Sequence, residues 1–122
     1  MSGILVVDDN DDHIELVSRI LSARGYTVLA ATDGESGLQA AIDHQPDLIL
    51  MDLGLPDVDG QTLVGWMRRV PELSHTPIIA VTAWPPETAR KMAEAYGCDG
   101  YISKPIIRVT DFADQVAACL HR

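Results

Sequence analysis

Three unbroken apolar runs constrain this chain most: Ile4-Leu5-Val6-Val7, Leu48-Ile49-Leu50-Met51 and Ile78-Ile79-Ala80-Val81. A strand with one wet face alternates apolar and polar residues. A run without alternation reads as a strand covered on both faces, as in a parallel sheet. Weaker strands are expected at Thr27–Ala31 and Gly100–Ser103. Helical patterns separate the strands. Ile14, Val17 and Leu21 share one helix face, which Leu16 and Ile20 widen, and Gly25 closes that helix. Leu38, Ala41 and Ile42 mark a second helix, ended before Pro46. Leu63, Val64 and Met67 mark a third, which stops before Pro71. A fourth begins at Pro86, a favourable first-turn residue, and ends at Gly97. Phe112, Val116 and Leu120 mark the last, running to the C-terminus. Strand and helix alternate five times. That order predicts an α/β fold, a five-stranded parallel sheet with helices on both faces, and one domain over residues 1–122.

The 122 residues, 47% of them apolar, suffice for a core without disulfide or metal staples. Eighteen acidic and nine basic residues give a net charge of −9. That balance argues against direct nucleic-acid binding or an anionic membrane surface, and leaves basic protein surfaces and metal cations as partners. No apolar run reaches the roughly 18 residues of a membrane span. Met1-Ser2-Gly3 shows neither the charged nor the apolar part of a signal peptide. Cys98 and Cys119 lack CxxC spacing and read as reduced thiols of a cytoplasmic protein. His13, His44, His75 and His121 are scattered, with no transition-metal pattern and no convincing phosphodonor among them. Trp66 and Met67 read as packing residues, and Asp11, Asp12 and Glu15 as a solvated helix start.

Four strands end in notable polar residues: Asp8-Asp9 on the first, Asp52 on the third, Thr82 on the fourth and Lys104 on the fifth. Open parallel sheets bind ligands beyond the carboxyl ends of their strands, where the strand order reverses. For the order 2-1-3-4-5 that point lies between strands one and three, which carry the three aspartates. Carboxylates held together repel each other and raise each other's pKa values, so a counter-charge is needed. Mg²⁺ suits an all-oxygen site of few carboxylates and several waters. With Lys104 alongside, the set suits phosphoryl transfer, with Asp52 as the nucleophile. Singly, each residue has an ordinary explanation: a helix start for Asp8-Asp9, a turn for Asp52 to Gly60, a structural hydroxyl for Thr82, a solvated charge for Lys104. Their joint placement at strand ends favours function.

The segments Val6-Val7-Asp8-Asp9-Asn10, Met51-Asp52-Leu53-Gly54-Leu55-Pro56-Asp57-Val58-Asp59-Gly60, Val81-Thr82-Ala83 and Tyr101-Ile102-Ser103-Lys104-Pro105 resemble, in order and separation, the receiver domain of two-component response regulators. The resemblance runs from Ile4 to about Leu120. It implies a doubly wound, flavodoxin-like (CheY-like) fold of strand order 2-1-3-4-5. It implies a phosphorylation-dependent switch, not an enzyme turning over an external metabolite, whose own phosphorylation and dephosphorylation it catalyses. Asp52 would take a phosphoryl group from a sensor histidine kinase or a histidine phosphotransfer protein. Asp9, Asp52 and the Gly54 backbone carbonyl would ligate Mg²⁺ directly, and Asp8 through water. Lys104, Thr82 and the Ala83 N–H would bind phosphoryl oxygens. Thr82 and Tyr101 would be the switch pair, and the face of helix 4, strand 5 and helix 5 would meet a downstream protein. The Lys104-Pro105 bond is expected to be cis.

Gly54 and Trp84 hold the two positions that flank the phosphoryl group in this family. Gly54 lacks a side chain to direct water; Trp84 either covers the site or contacts a partner. Pro85-Pro86 stiffen a loop that is more mobile in many receivers. An N-terminal receiver fragment of a longer regulator fits the sequence too. A Mg²⁺-dependent aspartate-nucleophile phosphatase fits less well, because it carries Asp-x-Asp after strand one. A flavodoxin-type carrier needs a phosphate loop where Asp8-Asp9-Asn10-Asp11-Asp12 would repel phosphate, and no GxGxxG occurs.

Overall fold

The apolar runs fold as strands. In chain order the elements are β1 (Gly3–Val7), α1 (Asp11–Ala23), β2 (Thr27–Ala31), α2 (Gly34–His44), β3 (Leu48–Asp52), α3 (Gly60–Arg69), β4 (Ile78–Thr82), α4 (Pro86–Tyr96), β5 (Gly100–Ser103) and α5 (Val109–Leu120), with a 3-10 turn at Pro71–Leu73. The computed structural model describes residues 3–106 and 108–120; Met1-Ser2 and His121 of the sequence reading lie outside the described residues. All strand pairs are parallel, as the apolar runs predict, and the order is β2-β1-β3-β4-β5, as the resemblance implies.

The period of two within each run explains why the runs are unbroken. Ile4, Val6, Leu48, Leu50, Ile79 and Val81 face α1 and α5, where they meet Val17, Leu21, Phe112 and Val116. Leu5, Val7, Ile49, Met51 and Ile78 face the other way, onto Ala41, Leu63, Val64, Met67 and Leu73. Each face needs its own apolar set, so every position in the run is apolar. A third, smaller cluster joins Leu53, Ala80 and Ala93, with Tyr96, Cys98 and Tyr101 packed on it.

Two sequence expectations change. Trp66 does not pack into the core: it is 41% exposed, because the buried face of α3 is Gly60, Leu63, Val64 and Met67. Its ring instead borders a surface hollow with Leu38 and Val58. The buried face of α2 is Gly34, Gly37 and Ala41, so Ile42 falls outside it and is exposed. Small residues let α2 lie close to the sheet. A Cβ on Gly37 would stand 2.8 Å from Val7 Cγ1.

The helix ends have identifiable causes. The side chains of Asn10, Asp33 and Asp59 accept the N–H groups of His13, Ser36 and Thr62 at the starts of α1, α2 and α3. Gly97 ends α4 at φ 86°, a left-handed conformation that glycine tolerates. Gln45 takes the equivalent position after α2 at φ 46°.

Arg68 ties α3 to two later segments. Its Nη1 donates to the carbonyls of Thr76 (2.7 Å), Leu73 (3.2 Å) and Ser74 (3.4 Å). Its Nη2 donates to Asp99 Oδ2 at 2.8 Å and to the Gly97 carbonyl at 3.3 Å. Neighbouring Cys98 is a thiol. Burial pushes it up to about 11, with Arg68 opposing and Asp99 adding to the shift. A shift of that size leaves about a hundredfold less thiolate near pH 8. Iodoacetamide will therefore label Cys98 at least about tenfold more slowly in the native protein than in urea, with peptide mass spectrometry as the measure.

Candidate functional site

The end of β1 turns into α1 through Asp8, Asp9 and Asn10. Asp8 is 1% exposed, and its own N–H donates to the Ala31 carbonyl, which pins it at the rim of the sheet. Asp52 ends β3, beside β1. Carboxylate oxygens of Asp8, Asp9 and Asp52 all lie within 4.8 Å of one another. Asp9 is exposed and Asp52 half-buried, so the cluster opens to solvent on one side.

Lys104 follows β5 and reaches across two strands. Its N–H donates to the Thr82 carbonyl at 2.8 Å, and a cis peptide links it to Pro105, as expected. Its Nζ lies 3.1 Å from Asp8 Oδ2 and 3.2 Å from Asp52 Oδ2. One ammonium thus bridges two of the three carboxylates. The other oxygen of each accepts a backbone N–H: Asn10 on Asp8 Oδ1 and Gly54 on Asp52 Oδ1, both at 2.9 Å. A cluster of hard oxygens that already holds one internal cation has the donor set Mg²⁺ requires.

Thr82 ends β4, one residue past the β4 partner of Asp52, and is 3% exposed. Its Oγ1 accepts the Trp84 N–H at 3.1 Å, while its hydroxyl hydrogen can still donate. Ala83 and Trp84 are exposed beside it, Trp84 at 38%. Tyr101 is half-buried on β5, in register with Ala80, and packs on the cluster of Leu53, Ala80 and Ala93. Pro85 and Pro86 open α4 without a side-chain cap.

One member of the site was not expected. His13, on the first turn of α1, places Nδ1 against Asp8 Oδ2. The only available signal was helical: side chains of a first turn point back toward the N-terminus, here toward Asp8. In the sequence Asp57 stands out only as part of a motif, yet it ties the β3–α3 loop to α2. The Gly34 N–H, then that of Glu35, donate to it and hold its carboxyl below the ordinary range.

Burial pushes the Asp8 pKa up. Hydrogen bonds from His13, the Asn10 N–H and Lys104, together with the Lys104 charge, outweigh burial and bring it down to about 2. A depressed carboxyl stabilises the fold above its unfolded pKa near 3.8, and that contribution is lost as pH falls toward 2. In EDTA, urea melts from pH 5 to pH 2 will show wild type losing about 2 kcal/mol more than Asp8→Asn.

Residues 4–116 match the response regulator receiver domain family. The chain is 39% identical over 104 residues to the polar-differentiation response regulator DivK of Brucella anthropi, covering 85% of each. Among solved structures it is similar to the chemotaxis response regulator CheY4 of Vibrio cholerae, with 28% identity, TM-score 0.89 and 98% of both chains covered. It is also similar to the receiver domain of a sensor histidine kinase from Pseudomonas aeruginosa, with 27% identity, TM-score 0.89, and 99% of this chain and 98% of that one covered. That receiver has a magnesium ion coordinated in its active site cleft. No helix among the described residues is long and apolar enough to cross a membrane. With the acidic cluster at the β1–β3 switch point, this match makes the chain a member of the receiver-domain family of two-component response regulators.

Proposed function

We propose that residues 1–122 act as one receiver domain that accepts a phosphoryl group on Asp52 from a histidine of a sensor kinase or phosphotransfer protein. The observation that carries this reading is the convergence of Asp8, Asp9 and Asp52, with Lys104 bridging two of them. Asp52 Oδ2 attacks the phosphorus, a P–O bond forms, and the donor's P–N bond breaks with its electron pair going to the imidazole nitrogen. Asp9, Asp52 and the Gly54 carbonyl would hold Mg²⁺ directly, and Asp8 through water. When bound, Mg²⁺ supplies positive charge between the carboxylates and the anionic phosphoryl group. Lys104 Nζ, already 3.2 Å from the attacking oxygen, transfers its contact to a phosphoryl oxygen. The Thr82 hydroxyl and the Ala83 N–H take the others.

Movement of Thr82 toward the phosphoryl group would free space into which Tyr101 turns, over Ala80. The readout would be the face of α4, β5 and α5, where Pro86, Tyr101, Ile106, Arg108, Phe112 and Gln115 line a concavity. A downstream protein reads that face, in the cytoplasm and without contact to nucleic acid. Chemistry is confined to the chain's own phosphorylation and dephosphorylation. Intact mass after incubation with acetyl phosphate and Mg²⁺ will show one phosphoryl adduct, and none with EDTA. No adduct, together with no Mg²⁺-dependent binding of beryllofluoride, would overturn the reading.

A further inference from the structure

We propose that His13 is a positioning residue of the Mg²⁺ site: its Nδ1–H holds the Asp8 carboxylate in place when Lys104 leaves it. The inference rests on the assignment of Asp8 to that site. A carboxylate only accepts hydrogen bonds, so the nitrogen facing Asp8 Oδ2 carries the proton. The His13 side chain is 12% exposed, and its other nitrogen, Nε2, is buried with no partner among the described residues. A buried imidazole normally satisfies both nitrogens. Here the bond to Asp8 alone offsets the burial of the ring, and it points into the acidic cluster.

The backbone of His13 is itself anchored. Its N–H donates to Asn10 Oδ1 at 3.2 Å, and the next N–H, from Ile14, donates to the Asn10 carbonyl at 3.0 Å. Asn10 in turn donates its N–H to Asp8 Oδ1. His13, Asn10 and Asp8 therefore form a closed frame at the start of α1. Lys104 stands outside that frame and shares Oδ2 with His13.

A divalent cation among the carboxylates repels the ammonium that bridges Asp8 and Asp52. Once Lys104 withdraws, His13 is the remaining side-chain donor on Asp8 Oδ2. An imidazole N–H can keep that bond in either charge state of the ring. Donors behind a metal-site carboxylate fix its orientation, and their removal typically weakens metal binding by 10–100-fold.

Isothermal titration with Mg²⁺ of wild type, His13→Leu and His13→Asn tests this. Leucine fills similar space without a donor, whereas the asparagine amide nitrogen falls where Nδ1 stands. His13→Leu is expected to bind Mg²⁺ about tenfold or more weakly, and His13→Asn within about threefold of wild type. Melting in EDTA establishes that both variants fold. A merely structural role would shift the melts and leave the Mg²⁺ affinities alike. Equal affinity in wild type and His13→Leu overturns the proposal, as does equal weakening in both variants. A wild type that binds no Mg²⁺ fails the site assignment itself, a different result from either.

Discussion

The Asp52→Asn variant will take no phosphoryl group from acetyl phosphate under conditions that label the wild type, with intact mass as the measure. The substitution removes the nucleophile, together with one of the three clustered carboxylates and one partner of Lys104. An asparagine Oδ1 can still accept the Gly54 N–H that Asp52 Oδ1 accepts at 2.9 Å. At the other oxygen an amide NH₂ would face Lys104 Nζ, now 3.2 Å away, donor against donor. Lys104 retains Asp8 Oδ2 as a partner at 3.1 Å and has no cause to leave the site. Removing one of three clustered carboxylates relieves their repulsion, so the variant folds at least as stably as wild type in EDTA. Loss of the adduct with an intact melt and Mg²⁺ binding retained by titration locates the chemistry at Asp52. An adduct that persists moves the acceptor to another carboxylate of the cluster.

Arg68→Ala is expected to lower stability by about 3 kcal/mol, a fall in Tm of roughly 10 °C for a chain of this length, read by urea and thermal melts. Two effects must be weighed. An exposed ion pair is worth little, about 0–1 kcal/mol, and Asp99 is partly exposed. The backbone carbonyls decide the matter. The Thr76 and Ser74 carbonyls rely on Nη1 and the Gly97 carbonyl on Nη2, whereas the Leu73 carbonyl also accepts the Thr76 N–H at 3.2 Å. Bonds from a charged donor contribute about 1.5–3 kcal/mol, and carbonyls left without a partner add their own cost. Asp99 Oδ2 also accepts the Ile78 N–H at the start of β4, so its loosening reaches the sheet. Arg68→Lys is expected to recover less than half of the loss. A single ammonium cannot span the Thr76 carbonyl and Asp99 at once. A change within about 0.5 kcal/mol for Arg68→Ala would reduce the web to surface decoration.

The sheet was legible in the sequence because each strand must satisfy two apolar faces at once, which leaves runs such as Leu48 to Met51 without a polar residue, while its strand order followed from the family resemblance. The clustering of Asp8, Asp9, Asp52 and Lys104 was legible for a related reason: a parallel sheet delivers all its strand ends to one rim. Contacts made by long side chains across elements were not. Nothing local marks Arg68 as the partner of Asp99, and only its place in the first turn of α1 separates His13 from three other histidines. The exposure of Trp66 was missed because an aromatic residue beside Met67 suggests core, while helix geometry turns it one step outside the buried face. Gln45 gave no glycine signal for its left-handed conformation, although Pro46 correctly marked the end of α2.

The division of the interior has a consequence for how such a protein can diverge. The two large clusters carry the long aliphatic residues of β1, β3 and β4, whereas the cluster that holds Tyr101 contains two alanines and little else that is fully enclosed. Substitutions beside Tyr101 therefore disturb few tightly interlocked neighbours. A gene duplicate can accumulate changes on the α4–β5 side, and so acquire a new listener, while the residues that secure folding stay under their original selection. The acidic residues end β1 and β3 whereas Tyr101 lies on β5, so the ear and the voice of the domain sit on different strands and are free to evolve at different speeds.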